Sequence, residues 1–166
     1  MIFATVGTHE QQFNRLVKQL DILKENNIIK KDEEVIIQTG YSNYTTKYCT
    51  TKKIMGYDEM IDVMKKARII ITHGGPGSIF SAIQMGKIPI VVPRNPIFDE
   101  HVDGHQVDFV KRMNDNNRVI GVFEIIDLES TIINYETLSK KLGEQKGNNK
   151  NFVTKFIKLV DEMFIN

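Results

Sequence analysis

The stretch that decides the fold runs from Arg68 to Ser78 and reads Arg-Ile-Ile-Ile-Thr-His-Gly-Gly-Pro-Gly-Ser. Its β-branched first half, 68–72, predicts a buried strand, and the residues from Ser78 to Met85 predict a helix that stops at Gly86. The glycines between them let a ligand approach the backbone closely. A helix start presents free N–H groups and the positive end of the helix dipole, which favours phosphate or diphosphate. A tight turn without a ligand is the alternative.

Apolar strands and amphipathic helices alternate on both sides of this stretch, with no internal repeat. This alternation predicts a Rossmann-like α/β fold, with a parallel sheet and helices on both faces. The length of 166 residues fits a single domain over 1–166. Further strands are predicted at 2–6, 35–37, 54–55, 89–92 and 119–120, and the loop at 41–53 holds at most one edge strand. Further helices are predicted at about 13–23, 58–67, 103–113, 132–142 and 152–164.

Composition excludes several classes of function. The chain has 22 Lys and Arg against 21 Asp and Glu, a net charge of +1, so it has no overall basic field for nucleic acid. A single cysteine, Cys49, excludes a disulfide framework and a cysteine-cluster metal site, and fits a reducing cytoplasm. No window approaches the roughly 20 apolar residues that span a bilayer, and the first residues do not form a signal-peptide pattern.

Polar and glycine residues follow most of the predicted strands. In open α/β sheets the ligand binds beyond the carboxyl ends of the strands, so these residues converge on one rim. They are Gly7-Thr8-His9, Gly40, Gly56-Tyr57, His73 to Ser78, and Arg94 to Gln106. His9 could act there as a proton acceptor or as a hydrogen-bond donor to a phosphate, although a histidine in a surface loop is the more common explanation.

A second polar motif, 99–106, reads Asp-Glu-His-Val-Asp-Gly-His-Gln. His101 and His105 are four residues apart and share a face if they lie on a helix, so with Asp103 they could bind a metal. The intervening Gly104 weakens such a helix. The same side chains could instead bind sugar hydroxyls, or form a solvated helix start with acidic residues near the dipole.

Three colinear motifs resemble glycosyltransferase family 28, whose C-terminal domain is the nucleotide-sugar-binding half of a GT-B enzyme. Those motifs are Val6-Gly7-Thr8-His9-Glu10-Gln11 followed by Phe13, Arg15 and Leu16; His73 to Ser78; and Pro93-Arg94 followed by Glu100 to Asp103 and His105-Gln106. The similarity covers nearly the whole chain. It is strongest to soluble donor-binding subunits of two-component bacterial exopolysaccharide and capsule enzymes, and extends to the soluble subunit of the eukaryotic dolichol-linked GlcNAc transferase.

The resemblance implies a role for each matched position. The backbone at Tyr57 would contact uracil, while Gly7 and Thr8 would face the diphosphate across from 74–78. His105 and Gln106 would face the donor sugar, and Ser81 stands where relatives carry an acidic residue that binds the ribose. The predicted catalytic residue is His9. The full set of predicted substrate-binding residues is Gly7, Thr8, Tyr57, His73, Gly74, Gly75, Gly77, Ser78, Ser81, Arg94, Glu100, Asp103, His105 and Gln106.

The resemblance also implies a reaction and its partners. The donor would be a UDP-sugar, transferred with inversion and without a metal ion or other cofactor. A complete GT-B enzyme has two such domains and this chain holds one, so a membrane-anchored subunit would bind the acceptor, a polyprenyl-diphosphate-linked sugar. The preferred reaction is β-1,4-galactosyl transfer to lipid-linked glucose, for capsule or exopolysaccharide. The chain would then be cytoplasmic, at the inner face of the cell membrane.

Other interpretations stay open at this point. The base could lie on the partner rather than at His9. The chain could be a non-catalytic binding subunit, a homodimer that completes its own cleft, or a metal hydrolase that uses His101, Asp103 and His105. Glucuronic acid, glucose or GlcNAc could replace galactose as the transferred sugar. Ile97 and Phe98 are predicted to dock on the partner.

Overall fold

A computed structural model describes residues 1–146 and shows one sheet of six parallel strands. The strands run in the order β3-β2-β1-β4-β5-β6, the Rossmann order that the strand–helix alternation predicts. Their bounds are Ile2–Thr5 (β1), Val35–Gln38 (β2), Thr50–Lys52 (β3), Ile69–Thr72 (β4), Ile90–Val91 (β5) and Ile120–Gly121 (β6).

Helices cover both faces of the sheet, because alternate side chains of the central strands point to opposite faces. Ile69 and Ile71 pack in the cluster that contains α1, α5 and α6 residues, whereas Ile70 packs with α2 and α3. A third cluster joins α3 and α4 over β5. The helix bounds are Asn14–Glu25 (α1), Tyr57–Lys66 (α2), Pro76–Gln84 (α3), His105–Asp115 (α4), Asp127–Ile133 (α5) and Tyr135–Lys146 (α6).

Three details differ from the sequence prediction. The predicted strand at 54–55 is wrong, since no strand forms there, although the expected edge strand within 41–53 is present as β3. The single helix predicted over 132–142 is two helices, α5 and α6, separated at Asn134. Helix α3 begins earlier than predicted because Pro76, which has no N–H to leave unpaired, occupies its first position. The predicted helix at 152–164 lies outside the described residues.

The topology fixes where a ligand can bind. β1 lies between β2 and β4, and the order of connection reverses between β1 and β4. Such a switch point opens a crevice beyond the carboxyl ends of the strands. Thr5 of β1 is paired with Thr72 of β4, so the loops that follow these two residues leave the sheet side by side.

Candidate functional site

A cleft of about 470 Å³ lies at this switch point. Its walls come from the ends of β1, β2 and β4 and from the first turns of α2 and α3. The lining residues are Thr5, Gly7, Thr8, Gln38, Met55, Tyr57, Met60, His73, Gly75, Pro76, Gly77, Ser78 and Ser81. The cleft therefore brings together eight of the predicted site residues: Gly7, Thr8, Tyr57, His73, Gly75, Gly77, Ser78 and Ser81.

The start of α3 is the main polar feature of this cleft. Gly75 caps the helix, and its first intrahelical hydrogen bond runs from Ile79 N–H to the Gly75 carbonyl at 3.4 Å. The N–H groups of Gly77 and Ser78 precede that bond, so they have no acceptor one turn earlier within the helix. A side chain at Gly77 would meet open space, so the cleft reaches these amides directly. The arrangement suits an anion.

His73 lies between two glycines that leave room for its ring. A Cβ atom at Gly7 would lie 2.5 Å from His73 Cε1, and one at Gly75 would lie 2.2 Å from Nε2. Gly7 also adopts a φ of +77°, which favours glycine. Burial, with the nearby Arg94 charge, lowers the pKa of His73 to about 4. The ring is therefore neutral at pH 7 and lines the cleft as an uncharged polar group.

Gln106 packs against the glycine loop from outside the cleft. A Cβ atom at Gly74 would lie 2.8 Å from Gln106 Cβ, so glycine permits this close approach. The Gln106 side-chain oxygen accepts a hydrogen bond from the Arg94 N–H at 3.2 Å. The predicted residues Gly74, His105 and Gln106 thus lie beside the cleft and do not line it.

Arg94 is fully buried and holds three segments of chain together. Its guanidinium donates to the carbonyls of Val6 (2.8 Å), Gln11 (2.8 Å), Gln12 (3.1 Å) and Glu100 (2.9 Å). Every one of these acceptors is a backbone oxygen of the protein. The geometry therefore gives Arg94 a structural role, and its predicted contact with substrate gains no support.

Glu100 is also buried, and it pairs with Arg15 of α1. Two hydrogen bonds from Arg15, at 2.9 and 2.8 Å, form a bidentate pair, and the Asn95 N–H donates to the same carboxylate at 3.0 Å. Its oxygens are thus occupied within the protein, away from the cleft. The geometry gives Glu100 the same loop-holding role as Arg94, and its predicted substrate contact gains no support.

The remaining predicted residues form a cluster on the rim. The His9 and His101 rings pack with centroids 4.6 Å apart, and Asp103 Oδ1 lies 2.9 Å from His105 Nδ1. Within residues 1–146, no group of three or more His, Cys, Asp or Glu side chains is arranged to hold a metal ion. The metal-hydrolase alternative therefore finds no site in this part of the chain.

The Nδ1 atom of His9 accepts a hydrogen bond from the Gln11 N–H at 3.2 Å. The pKa of His9 is lowered, first by burial and then by the His101 charge. A neutral ring that accepts at Nδ1 carries its proton on Nε2. The role of His9 as base stays a prediction, and this hydrogen bond argues against it.

Two of the predicted residues that line the cleft, Tyr57 and Ser81, lie on α2 and α3. Tyr57 is the first residue of α2 and is 71% exposed, so its ring and backbone are accessible from the cleft. The Ser81 hydroxyl donates to the Gly77 carbonyl at 3.0 Å. It can still accept a hydrogen bond from a ligand.

Five residues of the lining are absent from the predicted set: Pro76, which lies within the predicted glycine loop, and Thr5, Gln38, Met55 and Met60, which the sequence analysis missed. The Thr5 hydroxyl donates to the Gln38 side chain at 2.9 Å, and both residues are buried. Thr5 and Gln38 could have been found from the sequence, because each is a polar residue at the end of an apolar strand. The two residues are paired at the ends of β1 and β2. The methionines carry no comparable signal, since apolar residues at helical spacing are usually core.

Comparison with known proteins identifies the family. Residues 1–160 match the glycosyltransferase family 28 C-terminal domain. The chain belongs to this family. A 44-residue segment is 36% identical to the UDP-N-acetylglucosamine transferase subunit ALG13 of Yarrowia lipolytica, covering 26% of this chain and 22% of that protein.

Solved glycosyltransferases share the fold. The chain superposes on the kitacinnamycin glycosyltransferase with a TM-score of 0.62 and 12% identity, covering 98% of this chain and 42% of that one. For SnogD of Streptomyces nogalater the TM-score is 0.55 and the identity 15%, and the match covers 87% of this chain and 37% of SnogD. For SsfS6 of Streptomyces sp. SF2575, complexed with thymidine diphosphate, the TM-score is 0.53 and the identity 13%. This match covers 97% of this chain and 40% of SsfS6. The chain thus spans less than half the length of these proteins and has the fold of the C-terminal domain of a GT-B glycosyltransferase.

No helix within residues 1–146 is long and apolar enough to cross a membrane.

Proposed function

We propose that this chain is the donor-binding domain of a glycosyltransferase that uses a UDP-sugar. The observation that carries the proposal is the start of α3, whose Gly77 and Ser78 amides open into the cleft at the switch point of the sheet. Diphosphate matches that position in charge. The family supports glycosyl transfer as the reaction, and the name of the Yarrowia relative supports UDP as the nucleotide.

The chemistry follows from the same geometry. An acceptor hydroxyl attacks C1 of the sugar while a base removes its proton. The bond from C1 to the diphosphate oxygen breaks, and its electron pair stays on that oxygen. The α3 amides stabilise the growing negative charge because they are oriented before the reaction begins. The His73 ring also lines the cleft and is neutral at pH 7, so it offers the leaving group a polar contact but no positive charge.

The ligand is expected to lie across the cleft in a defined order. Uracil would contact the Tyr57 wall, the ribose would contact Ser81, and the diphosphate would lie on the α3 start opposite Gly7 and Thr8. The sugar would then extend toward Gln106. Within the described residues Arg94 and Glu100 support this arrangement from behind, by fixing the loops that follow β1 and β5.

The acceptor half is proposed to come from a second, membrane-anchored chain. Three solved relatives of this fold are more than twice as long as the part that this chain covers, and the Yarrowia relative is named as a subunit. Apolar side chains near the rim are available for docking, since Ile97 is 81% and Val102 is 75% exposed. Phe98 is 45% exposed. The chain would thereby be held at the inner face of the cell membrane.

The proposed reaction is inverting β-1,4-galactosyl transfer to a polyprenyl-diphosphate-linked glucose in capsule or exopolysaccharide synthesis. Purified chain would be mixed with UDP-galactose and the lipid-linked glucose, with and without membranes that contain the candidate partner. We expect product only with the partner present, and UDP-glucose, UDP-GlcNAc and UDP-glucuronic acid serve as alternative donors. Robust turnover by the purified chain alone would contradict the need for a partner chain. Absence of UDP binding would contradict the donor site itself.

A further inference from the structure

The chain has four histidines, and all lie near the rim of the cleft, but their ring nitrogens are not equivalent. We propose that His105, held by Asp103, accepts the proton of the acceptor hydroxyl, and that His9 does not. This inference rests on the proposed glycosyl transfer. It assigns the base to the donor-binding chain and to a residue that is predicted to face the donor sugar.

The contacts of His105 leave its Nε2 atom as a proton acceptor. Its Nδ1 atom lies 2.9 Å from Asp103 Oδ1, and its backbone N–H donates to the same oxygen at 3.1 Å. Hydrogen bonds from His105 lower the pKa of Asp103, so the carboxylate is ionised and can only accept. The proton of the neutral ring therefore lies on Nδ1, and Nε2 keeps its lone pair. A carboxylate that orients an imidazole in this way is a recurring device of general-base catalysis.

His9 has the opposite arrangement. The Gln11 N–H occupies the lone pair of His9 Nδ1 at 3.2 Å, so the neutral ring carries its proton on Nε2. A ring in this state can donate a hydrogen bond, for example to a phosphate oxygen. It cannot take a proton at Nε2 without first losing the one that it holds.

His101 also approaches Asp103, but it is the weaker candidate. The His101 Nδ1 atom lies 3.2 Å from Asp103 Oδ1 and 3.3 Å from the Asp103 backbone nitrogen, so it faces both an acceptor and a donor, and these contacts do not assign the ring proton to one nitrogen. The ring packs against His9, and its side chain is only 16% exposed. The His105 side chain is 75% exposed, so an acceptor carried by another domain can reach it.

The position of His105 suits the step. It is the first residue of α4, and its neighbour Gln106 packs on Gly74 of the glycine loop. The Nε2 lone pair would take the hydroxyl proton as the hydroxyl oxygen bonds to C1. The C1–O bond to UDP breaks and leaves its electron pair on the diphosphate. The imidazolium that forms is stabilised by the Asp103 carboxylate.

The first test reads the tautomers directly. Long-range ¹H–¹⁵N NMR spectra of the ¹⁵N-labelled full chain at pH 7.5 report which nitrogen of each histidine carries the proton. We expect Nδ1–H for His105 and Nε2–H for His9. We also expect Asp103→Asn to abolish the Nδ1–H preference of His105, whereas Asp115→Asn, at the other end of α4, leaves it intact. An Nε2–H tautomer at His105 in the wild-type chain would overturn the proposal.

The second test separates a base from a sugar contact. His105→Gln keeps a hydrogen-bonding side chain but cannot accept the proton. With UDP-galactose, lipid-linked glucose and the partner-containing membranes, turnover should therefore fall about 100-fold or more, as with His105→Ala. UDP affinity, measured by calorimetry, should be unchanged in both variants. Wild-type turnover in His105→Gln would overturn the proposal. A wild-type chain that does not bind UDP would instead defeat the proposed function, whatever tautomer His105 adopts.

Discussion

The loops that follow β4 and β5 leave neighbouring strands at the same edge of the sheet, yet they use their polar groups in opposite ways. The loop at 73–78 leaves amides free toward a cleft and keeps that space open with glycine. The loop at 94–100 turns Arg94 and Glu100 inward, where each is buried and fully engaged with the protein. Polar groups with protein partners hold the site, and polar groups without them are available to bind a ligand.

Removal of the Arg94 guanidinium tests the holding side of this comparison and should have the largest effect. Arg94→Met keeps most of the length but loses the hydrogen bonds to the carbonyls of Val6, Gln11 and Glu100. Those carbonyls would then be buried without a donor, so we expect a loss of about 3–5 kcal/mol in the free energy of unfolding. Urea unfolding measures it. Arg112→Met, at an exposed position on α4, is the control. A loss below about 1 kcal/mol for Arg94→Met would contradict the structural role of Arg94.

Glu100 should show a smaller effect of the same kind. Glu100→Gln weakens the bidentate pair with Arg15, and we expect a loss of about 1.5–3 kcal/mol in the free energy of unfolding. UDP affinity should change little, because the carboxylate does not line the cleft. Exposed Glu124 supplies the matched control, Glu124→Gln. If Glu100→Gln instead lost UDP affinity at unchanged stability, Glu100 would be a ligand contact after all.

Gly77→Ala tests the binding side. Its added methyl group meets no protein atom within 4 Å, so the fold should be unaffected, but it adds bulk at a residue that lines the cleft. UDP affinity by calorimetry should fall about tenfold, or about 1.4 kcal/mol. Gly143→Ala, also unobstructed and far from the cleft on α6, should leave affinity unchanged. Equal affinities in the two variants would mean that UDP does not use the α3 start. Gly75→Val is unsuitable because its Cβ would displace His73.

The smallest expected effect concerns pH. Folding lowers the pKa of His73 from 6.5 to about 4, so the unfolded chain binds a proton that the folded chain excludes. Stability is therefore fully present above pH 6.5 and falls as the pH drops toward 4, by about 0.7 kcal/mol between pH 7 and 6. The lowered pKa of His9 acts in the same direction. Urea unfolding of His73→Gln should give a shallower pH dependence, and an unchanged slope would contradict the assignment.

The parallel sheet and the glycine loop could be predicted because their signals are local. Three isoleucines followed by Thr-His-Gly-Gly-Pro-Gly indicate a strand, a turn and a helix start within about a dozen residues. Strand ends at a common edge then place Gly7, Tyr57 and Ser78 together, as the cleft lining shows. Periodicity alone could not separate α5 from α6, because the apolar spacing continues across Asn134.

The structural role of Arg94 and the protonation of the rim histidines could not be predicted from the sequence. The burial of Arg94 depends on carbonyl groups at Val6, Gln11 and Gln12, more than 80 residues away in the chain. Carbonyl groups occur at every residue, so no residue type marks this set in advance. The tautomers of His9 and His105 likewise depend on single hydrogen bonds that only the folded loops define.

UDP should bind at the start of α3 in this chain without a partner. An ¹⁵N-labelled sample titrated with UDP and followed by amide NMR tests it most directly. We expect saturable binding at one site, with the largest shifts at Gly77 and Ser78 and with smaller shifts around Gly7 and Tyr57. Absence of binding would contradict it. So would shifts confined to the opposite edge of the sheet, where Arg68 lines a separate pocket.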